Sequence, residues 1–146
     1  MPIPFAPGAA RAFLIAQPKI TAMVPVDAIT TRELPDPLTG ACITLRTPGH
    51  VGPDPMARRP MVQLDVWTPR IEILGGTTDP EELGWDIAAL AGELLHRAKP
   101  QSFRGSGWRA EWLEGPITFV DTKRGVDNPL FRATVRVVLI MRAPRT

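Results

Sequence analysis

The segment from Asp79 to Ala98, DPEELGWDIAALAGELLHRA, constrains the fold most because it carries helix signals at both ends. Asp79 is a favourable N-cap, and Pro80 has the fixed φ preferred at the first helical position. Basic side chains near the last carbonyls and Pro100, which cannot continue a helix, mark the end. Apolar side chains recur at three- and four-residue steps and predict one buried face, namely Leu83, Ile87, Leu90, Ala91, Leu94, Leu95 and Ala98.

A second stripe lies on the side of this helix away from the apolar face. It consists of Trp85, Ala89, Gly92 and His96, which follow one another at helical spacing. Two interpretations stay open. Either a loop or the N-terminal segment of the same chain covers Trp85, or the stripe meets another subunit.

Alternating apolar residues predict strands on both sides of the helix. Residues 61–67 place Val62, Leu64 and Val66 on one face and polar side chains on the other, which predicts a half-buried strand. Residues 130–141 form the longest predicted strand, with Arg132, Thr134 and Arg136 facing outward. Further strands are predicted at 28–34, 41–47, 108–113 and 117–122, with a bulge or bend at Gly115-Pro116.

The order of these elements predicts an α+β fold. We expect a mostly antiparallel sheet of about four to five strands, packed against the long helix (about 79–98) and a short N-terminal helix over residues 8–17. A chain of 146 residues fits a single domain, 1–146. Residues 1–7 are expected to be extended, and three loops are predicted at 48–60, 70–78 and 123–129.

Composition argues against several functional classes. Fourteen Arg and three Lys alternate with fifteen acidic residues and leave a net charge of +2, which is weak evidence for a nucleic-acid surface. Cys42 is the sole cysteine, so no intramolecular disulfide can form, and its apolar surroundings predict a buried thiol. No segment has the length of a membrane span, and nothing argues for secretion, so an intracellular product is expected.

Candidate catalytic groups are few. The chain has two histidines and two serines, no phosphate-binding glycine motif and no His/Cys spacing suited to zinc. The carboxylates near residues 121–127 surround a predicted hairpin loop, where such groups are usually solvated. We therefore expect no enzyme activity, no cofactor and no metal site.

Four segments form a recognisable pattern, namely ELPDPL (33–38), VQLDVWTP (62–69), WDIAALAGELLHRA (85–98) and GPITFVDTKRGVDNPLFRATVRVVL (115–139). Taken together they resemble the tail terminator (tail completion) proteins of long-tailed phages, and the resemblance extends in order and spacing over residues 9–142. The loop at 48–60 is long for the family. The resemblance implies a small α+β subunit that closes into a hexameric ring, ends polymerisation of the tail tube and joins the tail to the head connector. DNA would pass through the lumen without being read, and the protein would be found in the virion neck and, during assembly, in the host cytoplasm.

On this interpretation the loops and the second helix stripe supply contacts with other subunits or with the tube. The residues expected there are Met56, Arg58, Arg59, Ile71, Trp85, His96, Arg124 and Asp127. Arg58 and Arg59 suit either a carboxylate of another subunit or a DNA phosphate. The alternatives are a head-completion or stopper protein, a tail tube subunit and, more remotely, a basic nucleic-acid-binding module.

Overall fold

A computed structural model describes residues 4–48, 59–123 and 128–142. The fold is α+β, with helices on one face of a single curled sheet. A 3₁₀ turn at Val26–Ala28 precedes the first strand. In chain order the elements are α1 (Ala6–Ile15), α2 (Pro18–Thr21), β1 (Ile29–Thr30), β2 (Cys42–Arg46), β3 (Met61–Thr68), α3 (Pro80–Arg97), β4 (Gln101–Phe103), β5 (Ser106–Asp121) and β6 (Leu130–Met141).

The sheet is larger than predicted and is mixed. Its six strands follow the order β1-β2-β3-β6-β5-β4, and every pair is antiparallel except β1 with β2. The prediction of four to five strands missed β4, because the glycines between residues 101 and 107 were interpreted as a connection. Arg104 and Gly105 both have positive φ, 50° and 79°, and make the two-residue turn of a β4–β5 hairpin.

The long helix is confirmed, together with its N-cap. The Asp79 carboxylate accepts a hydrogen bond from the Glu81 backbone N–H at 3.0 Å. The face that packs on the sheet is rotated relative to the prediction and is rich in small residues, whereas Leu83, Leu90 and Leu94 flank it and are partly buried. Its buried members are Pro80, Gly84, Ile87, Ala88, Ala91, Gly92 and Leu95.

Gly92 explains this rotation. A Cβ added at Gly92 would lie 3.2 Å from side-chain atoms of Trp112 and Val135, so the missing methyl allows the helix to approach the sheet closely. The prediction that Gly92 belongs to the outward stripe with Trp85 is therefore wrong. A search for large apolar side chains at helical spacing does not detect a buried face that is built from small residues.

The N-terminal helix α1 begins at Ala6, two residues earlier than predicted, and ends at Ile15. Pro7 is accommodated in its first turn, where a missing N–H is not needed. Ala9, Ala10 and Leu14 are buried, and the Phe13 ring meets the Trp108 ring edge-on with centroids 5.9 Å apart. Helix α1 therefore packs on the same sheet face as α3.

Strand β5 contains the irregularity predicted at Gly115-Pro116, but it continues through it as one strand. Its register against β6 shifts between Trp112 and Glu114 and again between Glu114 and Ile117. Gly115 has φ +98°, and a Cβ there would lie 2.3 Å from the Thr134 carbonyl oxygen. Only glycine fits this position. The two bulges bend β5 and contribute to the curl of the sheet.

Strand β3 is buried on both faces, not on one. Val62, Leu64 and Val66 lie under the helices as predicted, but Gln63 and Asp65 on the other face are only 4% and 1% exposed. The prediction of a solvated polar face is therefore wrong. Neighbouring strands supply side chains that cover both residues.

Candidate assembly surfaces

The sheet face opposite the helices carries a set of polar and aromatic side chains, which we call the polar sheet face. The strand register places these residues in three rows across β2, β3, β6 and β5. The rows are Cys42–Trp67–Arg132–Phe119, Thr44–Asp65–Thr134–Ile117 and Arg46–Gln63–Arg136–Glu114. At the Cys42 end, Leu34 and Leu38 pack over Cys42 and Leu130 in a small separate core.

Asp65 is the centre of the polar sheet face. The Thr134 hydroxyl donates to Asp65 Oδ1 at 2.6 Å, and Gln63 Nε2 lies 3.2 and 3.1 Å from the two carboxylate oxygens. Arg46 Nε lies 3.6 Å from Asp65 Oδ2. A buried carboxylate costs several kcal/mol unless it is paired and hydrogen-bonded, and these groups meet that requirement.

The third row contains two arginines, a glutamine and a glutamate. Arg136 Nε donates to Gln63 Oε1 at 3.1 Å, and Arg136 Nη1 forms an ion pair with Glu114 Oε1 at 2.9 Å. The Gln63 amide thus connects two ion pairs, with its oxygen toward Arg136 and its nitrogen toward Asp65. The two arginines of this row are balanced by Glu114 of the same row and by Asp65 of the second row, and these contacts link β2, β3, β6 and β5.

Arg132 differs from the other arginines of this face. Its guanidinium lies between its two cross-strand neighbours, with the Cζ atom 4.5 Å from the Phe119 ring centroid and 5.4 Å from that of Trp67. Within the described part of the chain it has no acidic partner, and its Nε is buried without a hydrogen bond. The two rings hold a planar cation in place, which is the arrangement that receives a carboxylate or a phosphate.

Next to Arg132 the face becomes apolar and exposed. The side chains of Ile117 and Phe119 are 41% and 44% exposed. They belong to the part of β5 beyond the bulges. Exposed aromatic and aliphatic side chains beside an unpaired arginine are typical of a protein contact.

A second surface lies on the helix side of the same end of the molecule. Trp85 is 47% exposed on α3, so the described residues leave about half of its surface uncovered. Glu81, Glu82 and Asp86 surround it on the first turns of the helix, are exposed, and form no ion pair within the described chain. We call these four residues the Trp85 face.

The two surfaces lie back to back across the sheet. Gly84, which precedes Trp85, packs on Ala133, which follows Arg132 in β6. Glu81 and Gly84 also line a shallow cleft with Thr118 and Phe119 of β5. The Trp85 face therefore lies on the helix side of the sheet, whereas the Arg132 end of the polar sheet face lies on the opposite side.

The remaining predicted contact residues are divided between the ends of the sheet. Ile71 is 37% exposed and lines a groove with Pro80 and Phe131 near the start of α3. Arg59 is exposed near the opposite end of β3, where the Pro60 carbonyl accepts from the Leu139 N–H at 2.9 Å. Met56, Arg58, Arg124 and Asp127 lie outside the described residues, as does most of the loop at 48–60.

His96 has a role that the sequence did not suggest. Its Nδ1 accepts a hydrogen bond from the Trp112 backbone N–H at 3.2 Å, at the first β5 bulge. The register shift removes this N–H from regular pairing, and the imidazole replaces the lost acceptor. His96 lies about 16 Å from Trp85 along the helix, so the two do not form one site.

The polar sheet face was missed by the sequence analysis, although its members were correctly placed on the outward sides of β3 and β6. The available signal was the opposite charge of Asp65 in one strand and Arg132 and Arg136 in another. That signal becomes informative only when β3 and β6 are known to be neighbours.

Two further properties concern residues 4–48, 59–123 and 128–142. No described helix combines the length and the apolarity needed to cross a bilayer. The same residues bring together no group of three or more His, Cys, Asp or Glu side chains that could hold a metal ion. A search of protein-family models, curated proteins and solved structures finds no match to this chain.

Proposed function

We propose that this protein is a tail terminator of a long-tailed phage, a structural subunit rather than an enzyme. In this proposal it forms a ring, expected to be hexameric, on the last ring of the tail tube. The ring ends tube polymerisation and presents its other side to the head-tail connector or stopper protein. DNA passes through the lumen without sequence readout.

The observation that carries the proposal is the pair of unlike surfaces on opposite sides of one sheet. Helices cover one sheet face and expose the acidic Trp85 face, while the other sheet face presents Arg132 with Ile117 and Phe119. A subunit with two different contact surfaces makes heterologous contacts, and these close into a ring when the rotation between copies closes. The resemblance over residues 9–142 supplies the identity of the assembly.

The basic nucleic-acid-binding module is the candidate from a different class, and Arg132 is the observation in its favour. The pairing of five other described arginines counts against it. Arg46, Arg70, Arg97, Arg109 and Arg136 each lie within 4 Å of a carboxylate oxygen. Paired arginines release few counterions from DNA, so we expect at most weak binding.

A capping experiment tests the proposal. Purified protein is added to polymerising tail tube protein from the same phage, and tube lengths are measured by negative-stain electron microscopy. A terminator gives shorter tubes with a ring at one end. Elongation of the tubes, or polymerisation of the protein alone into tubes, would identify a tube subunit. A ring that binds the head connector and ignores tubes would identify a stopper.

A further inference from the structure

We propose that the Arg132 end of the polar sheet face receives the Trp85 face of a second copy of this chain. This inference rests on the proposed function and specifies the contact that builds its ring. In that contact the Arg132 guanidinium of one copy binds a carboxylate on the first turns of α3 of the next copy. Trp85 then packs against Ile117 and Phe119.

The surroundings of Arg132 favour the binding of a carboxylate. The rings of Trp67 and Phe119 hold the guanidinium on both sides, at 5.4 and 4.5 Å from their centroids, so little side-chain freedom remains to be lost on binding. Its Nε is buried without an acceptor. Thr134 and Arg136, the next outward residues on β6, already have acidic partners in Asp65 and Glu114. Asp65 and Glu114 are therefore engaged, and no described carboxylate lies within 4 Å of the Arg132 guanidinium, so we place its acceptor on a second copy.

The Trp85 face supplies the complementary charge. Glu81, Glu82 and Asp86 are exposed on α3 and form no ion pair within the described chain, whereas Glu93 further along the helix is paired with Arg97 at 3.3 Å. Unpaired acids and an unpaired, partly buried arginine on the same chain are complementary between copies.

The exposed apolar side chains on the two surfaces also suit this contact. Trp85 is 47% exposed at the centre of its face, and Ile117 and Phe119 are 41% and 44% exposed beside Arg132. Large aromatic side chains surrounded by charged groups are the usual energetic centres of protein interfaces. Because the two surfaces lie back to back, a copy bound at one surface leaves the other free for the next copy.

The test uses charge reversal on each surface. One variant is Arg132→Glu, and the other is Glu82→Arg with Asp86→Arg. Each is expected to weaken self-association at least tenfold, because each faces like charges across the contact. An equimolar mixture of the two is expected to associate as the wild type does, because every contact in an alternating assembly again joins opposite charges. Lys19→Glu, on the exposed part of α2, is the matched control and is expected to change association less than twofold.

Association is measured by sedimentation velocity in solution and by ring formation on tail tubes. The acid-to-arginine variant changes only exposed helix positions, so it tests the contact even if Arg132→Glu fails to fold. Single variants that associate like the wild type, a mixture that fails to recover, or an equal effect of Lys19→Glu would each overturn the inference. Loss of salt-dependent binding to a short DNA duplex in Arg132→Glu, with association unchanged, would assign Arg132 to a phosphate and also overturn it.

The outcomes separate this inference from the proposed function. If the variants associate as the charge reversal predicts but the protein caps no tubes, the proposed contact is supported and the terminator proposal is rejected. If both charge-reversal variants cap tubes as well as the wild type does, the terminator proposal is supported and the proposed contact is rejected.

Discussion

The Thr134 hydroxyl lies 2.6 Å from Asp65 Oδ1 and joins β6 to β3 on the sheet face opposite the helices. The two residues are direct cross-strand partners, and 69 positions separate them in the chain. Both are buried, Asp65 to 1% exposure and Thr134 to 5%. This hydrogen bond therefore fixes two central strands at a point where the sheet has polar side chains in place of an apolar core.

Removal of this hydroxyl should destabilise the fold. Thr134→Val keeps the side-chain shape and deletes one donor to a buried carboxylate, which is worth about 2 kcal/mol. Urea unfolding measures the loss. Thr118→Val changes an exposed threonine of β5 and should alter the unfolding free energy by less than about 0.5 kcal/mol. Equal effects of the two substitutions would show that Asp65 does not depend on Thr134.

Gly115→Ala should be more damaging. The new Cβ would lie 2.3 Å from the Thr134 carbonyl oxygen on a backbone with φ +98°, so both a clash and conformational strain result. We expect a loss of about 3 kcal/mol or more in the free energy of unfolding. Gly40→Ala is the control, because a Cβ there has no atom within 4 Å and no positive φ applies. A Gly115→Ala protein as stable as the control would contradict the bulge geometry.

Much of the fold could be predicted from interactions between residues that are close in sequence. Asp79, Pro80 and Pro100 delimit α3 by capping and by the geometry of proline, which do not depend on the rest of the molecule. Likewise, alternation in residues 61–67 and 130–141 marked β3 and β6. The inward face of each was correct because it follows from the two-residue period of a strand.

Prediction of the candidate surfaces requires information that local sequence patterns do not contain. Asp65, Arg132 and Thr134 form a network only because β3 and β6 are neighbours, and no loop length or period specifies that order. The rotation of α3 depends on contact between Gly92 and Trp112, a long-range packing effect. Trp85 was singled out from sequence, whereas the finding that no described acid pairs with Arg132 required the positions of the neighbouring strands.

The Cys42 thiol should make stability depend on alkaline pH. Burial raises the pKa of Cys42 from 9.0 to about 11, because desolvation disfavours the thiolate. The unfolded thiol ionises first as pH rises, so this contribution to stability is present below pH 9 and is lost between pH 9 and 11. Between pH 8 and pH 10 the loss is on the order of 1 kcal/mol.

Cys42→Ala provides the comparison for that dependence. Other groups that titrate in this range are the same in both proteins, and the chain has no tyrosine. Urea unfolding at pH 8 and pH 10 should therefore show a steeper decline for the wild type than for Cys42→Ala. Parallel declines would mean that the thiol is not desolvated in the folded state.

Trp85→Ala should separate association from folding. Trp85 is about half exposed, so its truncation should lower the free energy of unfolding by less than about 1 kcal/mol while weakening self-association at least tenfold. Phe5→Ala, at another exposed aromatic residue, is the matched control and should leave association unchanged. If Trp85→Ala reduced folding stability as much as association, Trp85 would belong to the packing of its own chain.

The most direct test of the account is the solution mass of the purified protein by light scattering over a range of concentrations, with negative-stain images of the same sample before and after tail tubes are added. We predict a closed hexamer, or a smaller species that becomes a ring at the end of each tube. A monomer at every concentration that ignores tail tubes and binds DNA at low salt would contradict the terminator proposal.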